Sequence, residues 1–146
     1  AGTTHNIIPE TAFINGTVRT LSDTAKTLVK TRISEICQGT ETTFRCSVNL
    51  DYHDGYPVTI NHPEPTEFAV GIATEVSGRE KVIGDGGPIM GSEDFSYMLL
   101  ERPGAYLHLG QGYGPPLHSP EFDFNDSVSP IGASFFVRLV ERSQPL

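Results

Sequence analysis

The sequence predicts a mixed fold in two parts: an α+β layer in the first third, then a stretch in which helices alternate with short strands. Three observations predict it. Two stretches of period-two alternation flank an amphipathic helix, a cluster of turn formers follows, and beyond that cluster helical spacing returns between loops rich in glycine and proline.

Between Phe13 and Leu21, Ile14, Gly16 and Val18 fall on one face and Asn15, Thr17 and Arg19 on the other, as in a half-buried strand. Arg19 therefore stands on the polar face. Ser22 and Asp23 supply N-cap chemistry for a helix whose apolar stripe is Ala25, Leu28, Val29, Ile33 and Ile36, with Gly39 as its stop. From Thr43 to Tyr52 the alternation resumes, and Phe44, Cys46, Val48, Leu50 and Tyr52 form an apolar face that needs the helix as cover. Alternation this clean suits a sheet covered on one side only. Asp54–Pro57 and Asn61–Pro65 are dense in turn formers, which puts the boundary between the two parts near Asn61.

Past the boundary, Glu64, Pro65 and Thr66 open a helix with Phe68, Ile72 and Val76 inward and Gly78 at its close, and Lys81–Ile83 is a short strand candidate. A loop from Gly84 to Pro88 leads to Ser92, which caps a helix over Glu93–Leu100. Arg102, Pro103 and Gly104 end it. Ala105–Leu109 reads as a buried strand, and Gly110–Pro116 as a loop. The last helix starts near Pro130 and carries Ile131, Phe135, Val137, Leu139 and Val140, so it is expected to be well buried.

Composition narrows the function. Of 146 residues, 37% are hydrophobic and 19% charged, a balance that supports a core. The net charge of -8 leaves no basic surface for nucleic acid or anionic membranes. Cys37 and Cys46 are too few for a disulfide framework and lack metal-pair spacing, so they read as two buried thiols. No apolar run approaches the roughly 20 residues of a membrane span, and no signal segment leads the chain, so a soluble, cytoplasmic setting is expected. Ala1–Pro9 reads as the continuation of a longer polypeptide.

Few residues offer chemistry. His118 precedes Glu121, Asp123 and Asp126 in a segment that cannot be a continuous helix. A neutral imidazole oriented by a carboxylate is a good ligand for a zinc-like cation. A solvated surface histidine competes with that reading, since one histidine is not a metal site. His5, His53, His62 and His108 show no helical pairing. Met90–Phe95 joins a glycine loop to a helix start, where free backbone N–H groups can hold an anion, although Glu93 and Asp94 would repel one. Its glycines match neither a P-loop nor a dinucleotide fingerprint. Asn6 and Arg19 can converge on a carboxylate through an amide and a bidentate guanidinium, with a solvated arginine as the plainer alternative.

Taken in order, Asn6–Glu10, Gly16–Thr20, Met90–Phe95, Pro103–Gly104 and Leu117–Asp126 resemble the aminoacylase/carboxypeptidase metallopeptidases, specifically the branch of hippurate hydrolases and indole-acetyl-amino-acid hydrolases. The resemblance covers nearly the whole chain. It implies the C-terminal part of an α+β lid, or dimerisation, domain over residues 1–61. After it would come the C-terminal segment of an α/β metallopeptidase catalytic domain over 62–146. It implies metal-dependent hydrolysis of the amide bond of N-acyl amino acids at a site holding two divalent ions, zinc, manganese, cobalt or nickel. His118 resembles the last metal ligand, Asn6 and Arg19 the lid residues that grip the substrate carboxylate, and Gly91 a lining residue of the pocket. The expected partners are a small N-acyl amino acid and a second copy through the lid. Missing from these residues are the upstream ligand cluster, the catalytic glutamate pair and the lid histidine of that family, so no residue is assigned a catalytic role. The other reading is a non-catalytic binding or dimerisation module of the same descent. Uncovered core-facing residues such as Phe135 and Leu139 would mark a catalytic-domain remnant. The chain alone is expected to be inactive, and measurable hydrolysis of an N-acyl amino acid by the pure, metal-loaded 146-residue protein would contradict this.

Overall fold

In a computed structural model the structure describes residues 1–144. The chain divides into two compact units, Ala1–His53 and Asp54–Leu146.

The first unit is built on helix α1, Asp23–Phe44. Ser22 caps it as expected, its Oγ accepting the Ala25 N–H at 3.2 Å. The helix does not stop at Gly39. Thr40 and Thr42 donate their hydroxyls back to the Ile36 and Gln38 carbonyls at 2.8 and 3.0 Å, and the helix ends only where Arg45 takes the left-handed conformation, φ 51°. A glycine inside a helix costs about 1 kcal/mol, too little to end one whose neighbours continue. The returning chain is caught by Glu41, whose Oε1 accepts the Val48 N–H at 2.8 Å, and by Lys30, whose ammonium lies 5.0 Å from the Tyr52 ring centre. Of the apolar face expected along 43–52, only Val48 and Tyr52 are half-covered, while Phe44 and Cys46 are exposed. Cys37 is half-buried, so neither thiol is fully enclosed.

The second unit packs helix α2, Pro63–Ser77, against helix α4, Ser129–Ser143. Pro63 begins α2 where a missing N–H costs nothing, and Thr66 returns both its N–H and its hydroxyl to the His62 carbonyl at 3.1 and 2.7 Å. Gly78 ends it at φ 87°, where a Cβ would meet the Glu80 carboxylate at 2.6 Å. The buried face of α2 is Ala69 and Ile72, whereas Phe68 is exposed. Arg142 of α4 reaches Glu75 of α2 with two N–H groups, at 3.0 and 3.2 Å. A 3-10 turn over Arg79–Lys81 takes the place of the strand expected at 81–83. A second one, Asp126–Val128, sets Val128 into the core just before α4. The short helix α3, Phe95–Glu101, contributes Leu99 and Ser96 to the buried set.

Helix α4 was expected to be well buried, and it has no buried residue. Phe135 and Leu139 are half-buried, whereas Ile131, Phe136, Val137 and Val140 stand open, because a helix apolar on most of its circumference packs here against α2 alone among the four α-helices. Among the described residues the segments 13–21, 46–52 and 105–109 are non-helical and form no strand ladder.

The surface reflects this. The chain exposes 12443 Å², whereas a folded monomer of 15.9 kDa exposes roughly 7,400 Å² and two separate globules sharing that mass about 9,000 Å². The isolated chain is therefore expected to bind a hydrophobic dye strongly and to elute above 15.9 kDa in size-exclusion chromatography. A dye-silent monomer would contradict this.

Candidate functional site

In the second unit three segments far apart in sequence are stitched together by polar groups. Asn61 uses its side-chain amide like a strand edge: its Oδ1 accepts the Tyr106 N–H at 2.8 Å and its Nδ2 donates to the Tyr106 carbonyl at 2.9 Å. The His62 N–H donates to the Gly104 carbonyl at 3.0 Å, and His62 Nδ1 accepts the Gly104 N–H at 3.2 Å. The seam fixes the start of α2 beside the segment after α3.

Tyr106 extends the seam to the loop before α3. Its hydroxyl donates to Glu93 Oε2 at 2.9 Å, and its ring lies edge-on to His108 and tilted against Phe95, with centres 5.1 and 5.6 Å apart. Ser92 does not cap α3, and the N-cap residue Asp94 makes no side-chain cap bond, so the first helical N–H is answered by Glu93. Its Oε1 accepts the Phe95 N–H at 3.3 Å, and its carbonyl takes the Ser96 N–H and hydroxyl at 3.3 and 2.7 Å. A carboxylate answers a free helix N–H as well as a hydroxyl does, and it adds charge at the positive end of the dipole. The Tyr106 hydrogen bond, followed by that of the Phe95 amide, holds the Glu93 carboxyl below its ordinary 4.5. The same bond, with burial and the nearby acidic charges, pushes the Tyr106 hydroxyl above 10.0.

Gly91 lies in the exposed loop just ahead of this staple. A Cβ there would meet only Ile89 Cγ2 at 3.9 Å, an ordinary contact, so nothing in the described chain requires glycine at that position. Beside α3, Phe95, Tyr97, Met98, Leu99, Pro103 and Gly104 line part of an open apolar hollow of about 570 Å³.

His118 sits at the apex of a loop between Gln111 and Asn125. The Ser119 N–H donates to the Pro116 carbonyl at 3.1 Å, which places His118 third in a four-residue turn, with φ 69°. Glycine is the usual residue where a type II turn demands positive φ, so an exposed histidine here is an outlier that sequence spacing does not reveal. A second turn follows, Phe122 N–H to Ser119 carbonyl at 3.0 Å, with the Ser119 hydroxyl accepting the Glu121 N–H at 3.2 Å.

In the first unit Asn6 is exposed in a turn, its Oδ1 accepting the Thr4 hydroxyl at 2.8 Å, and Arg19 is exposed in the non-helical segment before α1. These two belong to one unit, whereas Gly91 and His118 belong to the other.

The chain belongs to the peptidase family M20/M25/M40, whose family pattern matches residues 5–142. It is 34% identical over 132 residues to an N-acetyldiaminopimelate deacetylase of Streptococcus suis, covering 90% of this chain and 35% of that protein. It is 31% identical over 139 residues to a hippurate hydrolase of Campylobacter jejuni, covering 95% of this chain and 36% of the relative. With a thermostable carboxypeptidase of Saccharolobus solfataricus it shares 34% identity over 142 residues, 91% of this chain and 34% of the relative. The chain thus spans about a third of the length of these curated relatives. No solved structure matches it.

Peptidases of this family generally depend on divalent metal ions. An exposed imidazole on a held turn suits one position of such a centre. No set of three or more His, Cys, Asp or Glu side chains converges among the described residues, so His118 fits as one donor and the rest of a cage is not assembled by them.

Replacing Tyr106 with Phe removes the largest cause of the Glu93 shift, so the Glu93 pKa is expected to rise toward 4.5, read by carboxyl carbon NMR. A carboxylate depressed in the fold contributes stability above its unfolded pKa and loses it as pH falls through the folded value. The variant should therefore be weakened at neutral pH, and its difference from the parent should vanish as pH falls through the lowered Glu93 pKa of the parent. An unchanged Glu93 titration would refute the assignment.

Proposed function

We propose that the chain is part of a metal-dependent amidohydrolase that cleaves the amide bond of N-acyl amino acids. In this reading residues 1–61 are the C-terminal part of an α+β lid and residues 62–146 the C-terminal segment of an α/β catalytic domain. On this reading the non-helical segments 13–21, 46–52 and 105–109 would be strands once their ladder partners are supplied. The observation that carries the proposal is the family match over residues 5–142, together with relatives that are hydrolases by name: a deacetylase, a hippurate hydrolase and carboxypeptidases.

Each residue has a stated task. His118 would hold one ion of a divalent pair, zinc, manganese, cobalt or nickel. When bound, such ions lower the pKa of a water and polarise the carbonyl. The Asn6 amide and the Arg19 guanidinium grip the free carboxylate of the substrate, a planar fork against a planar anion. Gly91 lines the pocket, where the absence of a side chain allows close approach to backbone that the Glu93 cap holds still. The unpartnered apolar surface of the first unit, including Ile8, Phe13 and Ile14, supports a homodimer formed through the lid. The net charge of -8 disfavours nucleic acid and anionic membranes as partners, and no helix among the described residues is long and apolar enough to cross a bilayer.

The test is a His118→Ala variant of the complete protein that carries this chain, assayed for metal content and for hydrolysis of hippurate and N-acetyl amino acids. Loss of bound metal and a fall of at least about 10²-fold in kcat/KM are expected. Full metal stoichiometry with unchanged turnover would remove the assignment.

A further inference from the structure

The loop that presents His118 is closed at its base by a pair of amide side chains. Asn125 and Gln111, 14 residues apart, bond each other reciprocally: the Asn125 N–H donates to Gln111 Oε1 at 3.2 Å, and Asn125 Nδ2 donates to the Gln111 carbonyl at 3.0 Å. Gln111 Nε2 adds a longer bond to the Asp123 carbonyl at 3.4 Å. The other end of the Asn125 amide is bound to Ser127, next to buried Val128. Its Oδ1 accepts the Ser127 N–H at 3.1 Å and the Ser127 hydroxyl at 2.6 Å, starting the 3-10 turn that seats Val128 and feeds α4. The loop therefore has a foot in the packed part of the unit. Its two successive turns carry His118 at the apex in a left-handed conformation that a free loop would relax.

We infer that Gln111 and Asn125 are positioning residues: their amide clamp, anchored through Ser127 and Val128, fixes the loop so that the His118 imidazole is presented in one orientation to a divalent cation. This rests on the reading of His118 as a metal ligand. It adds two residues with no ligating role of their own. A ligand held before the ion arrives loses less freedom on binding, so slackening the clamp weakens affinity without removing a donor.

Two variants of the complete protein separate the clamp from general stability. Gln111→Met keeps the side-chain length and loses both side-chain bonds. Asn125→Asp keeps the Oδ1 cap on Ser127 and loses the donor to Gln111. Zinc and manganese titrations of the metal-free proteins are compared with those of the parent and of His118→Ala, beside melting temperatures. Expected is a roughly 10-fold or greater rise in metal Kd in both clamp variants, with metal-free melting temperatures near that of the parent. If His118→Ala loses the metal while both clamp variants bind within about two-fold of the parent, the clamp is overturned and the ligand assignment stands. A lowered melting temperature with unchanged affinity also overturns it, because the amides would then be structural only. If His118→Ala binds metal like the parent, the ligand reading fails and the clamp proposal fails with it. Should one clamp variant not fold, the other decides.

Discussion

Backbone N–H and C=O groups must find partners or stay in water, and that constraint governs this chain. Outside the helices, several of these groups are satisfied by side chains that imitate a strand edge. Asn61 does so for Tyr106, Glu41 for Val48, and Gln111 and Asn125 do so for each other. These amide and carboxylate bonds organise the segment after α1 and the loops around α2, α3 and α4, and each is worth on the order of 1 kcal/mol net. They are too few to stand in for a sheet.

The apolar side of the molecule tells the same story. Ala69, Ile72, Leu99 and Val128 are the buried hydrophobic residues among those described, and all lie in the second unit. Ile8 and Ile14 are more than nine-tenths exposed, and α4 turns Phe136 and Val137 outward. The proposed reading accounts for both facts at once, since the chain spans about a third of its relatives and a sheet-backed core needs the strands and helices of the remainder.

Local signals were legible in the sequence, and distant ones were not. Ser22 before an acidic first turn marks the start of α1, and Glu64–Thr66 with Gly78 bracket α2 to within a residue or two. The stop at Gly39 misled, because the intrinsic cost of glycine is small beside the continuation of a helix through Thr40 and Thr42. Period-two alternation marks candidate strand residues, but pairing depends on a partner, which periodicity within a segment does not describe, and no ladder forms among the described residues. At the site, His118 stood out only by residue type and by family resemblance. Its positive φ and the Gln111–Asn125 clamp join positions 14 residues apart with no periodic mark. Glu93 was visible as a first-turn acid, but its bond to Tyr106 depends on how the chain returns after α3.

Amide hydrogen exchange, compared between the isolated chain and the complete protein that carries it, tests the central claim most directly. The account expects the amides of residues 46–52 and 105–109 to exchange fast in the isolated chain, apart from the partnered Val48 and Tyr106, and to slow by at least about 10³-fold in the complete protein, as strands in a cooperative core do. Equal, fast exchange in both would contradict it, because the extended segments would then be loops with no ladder to join.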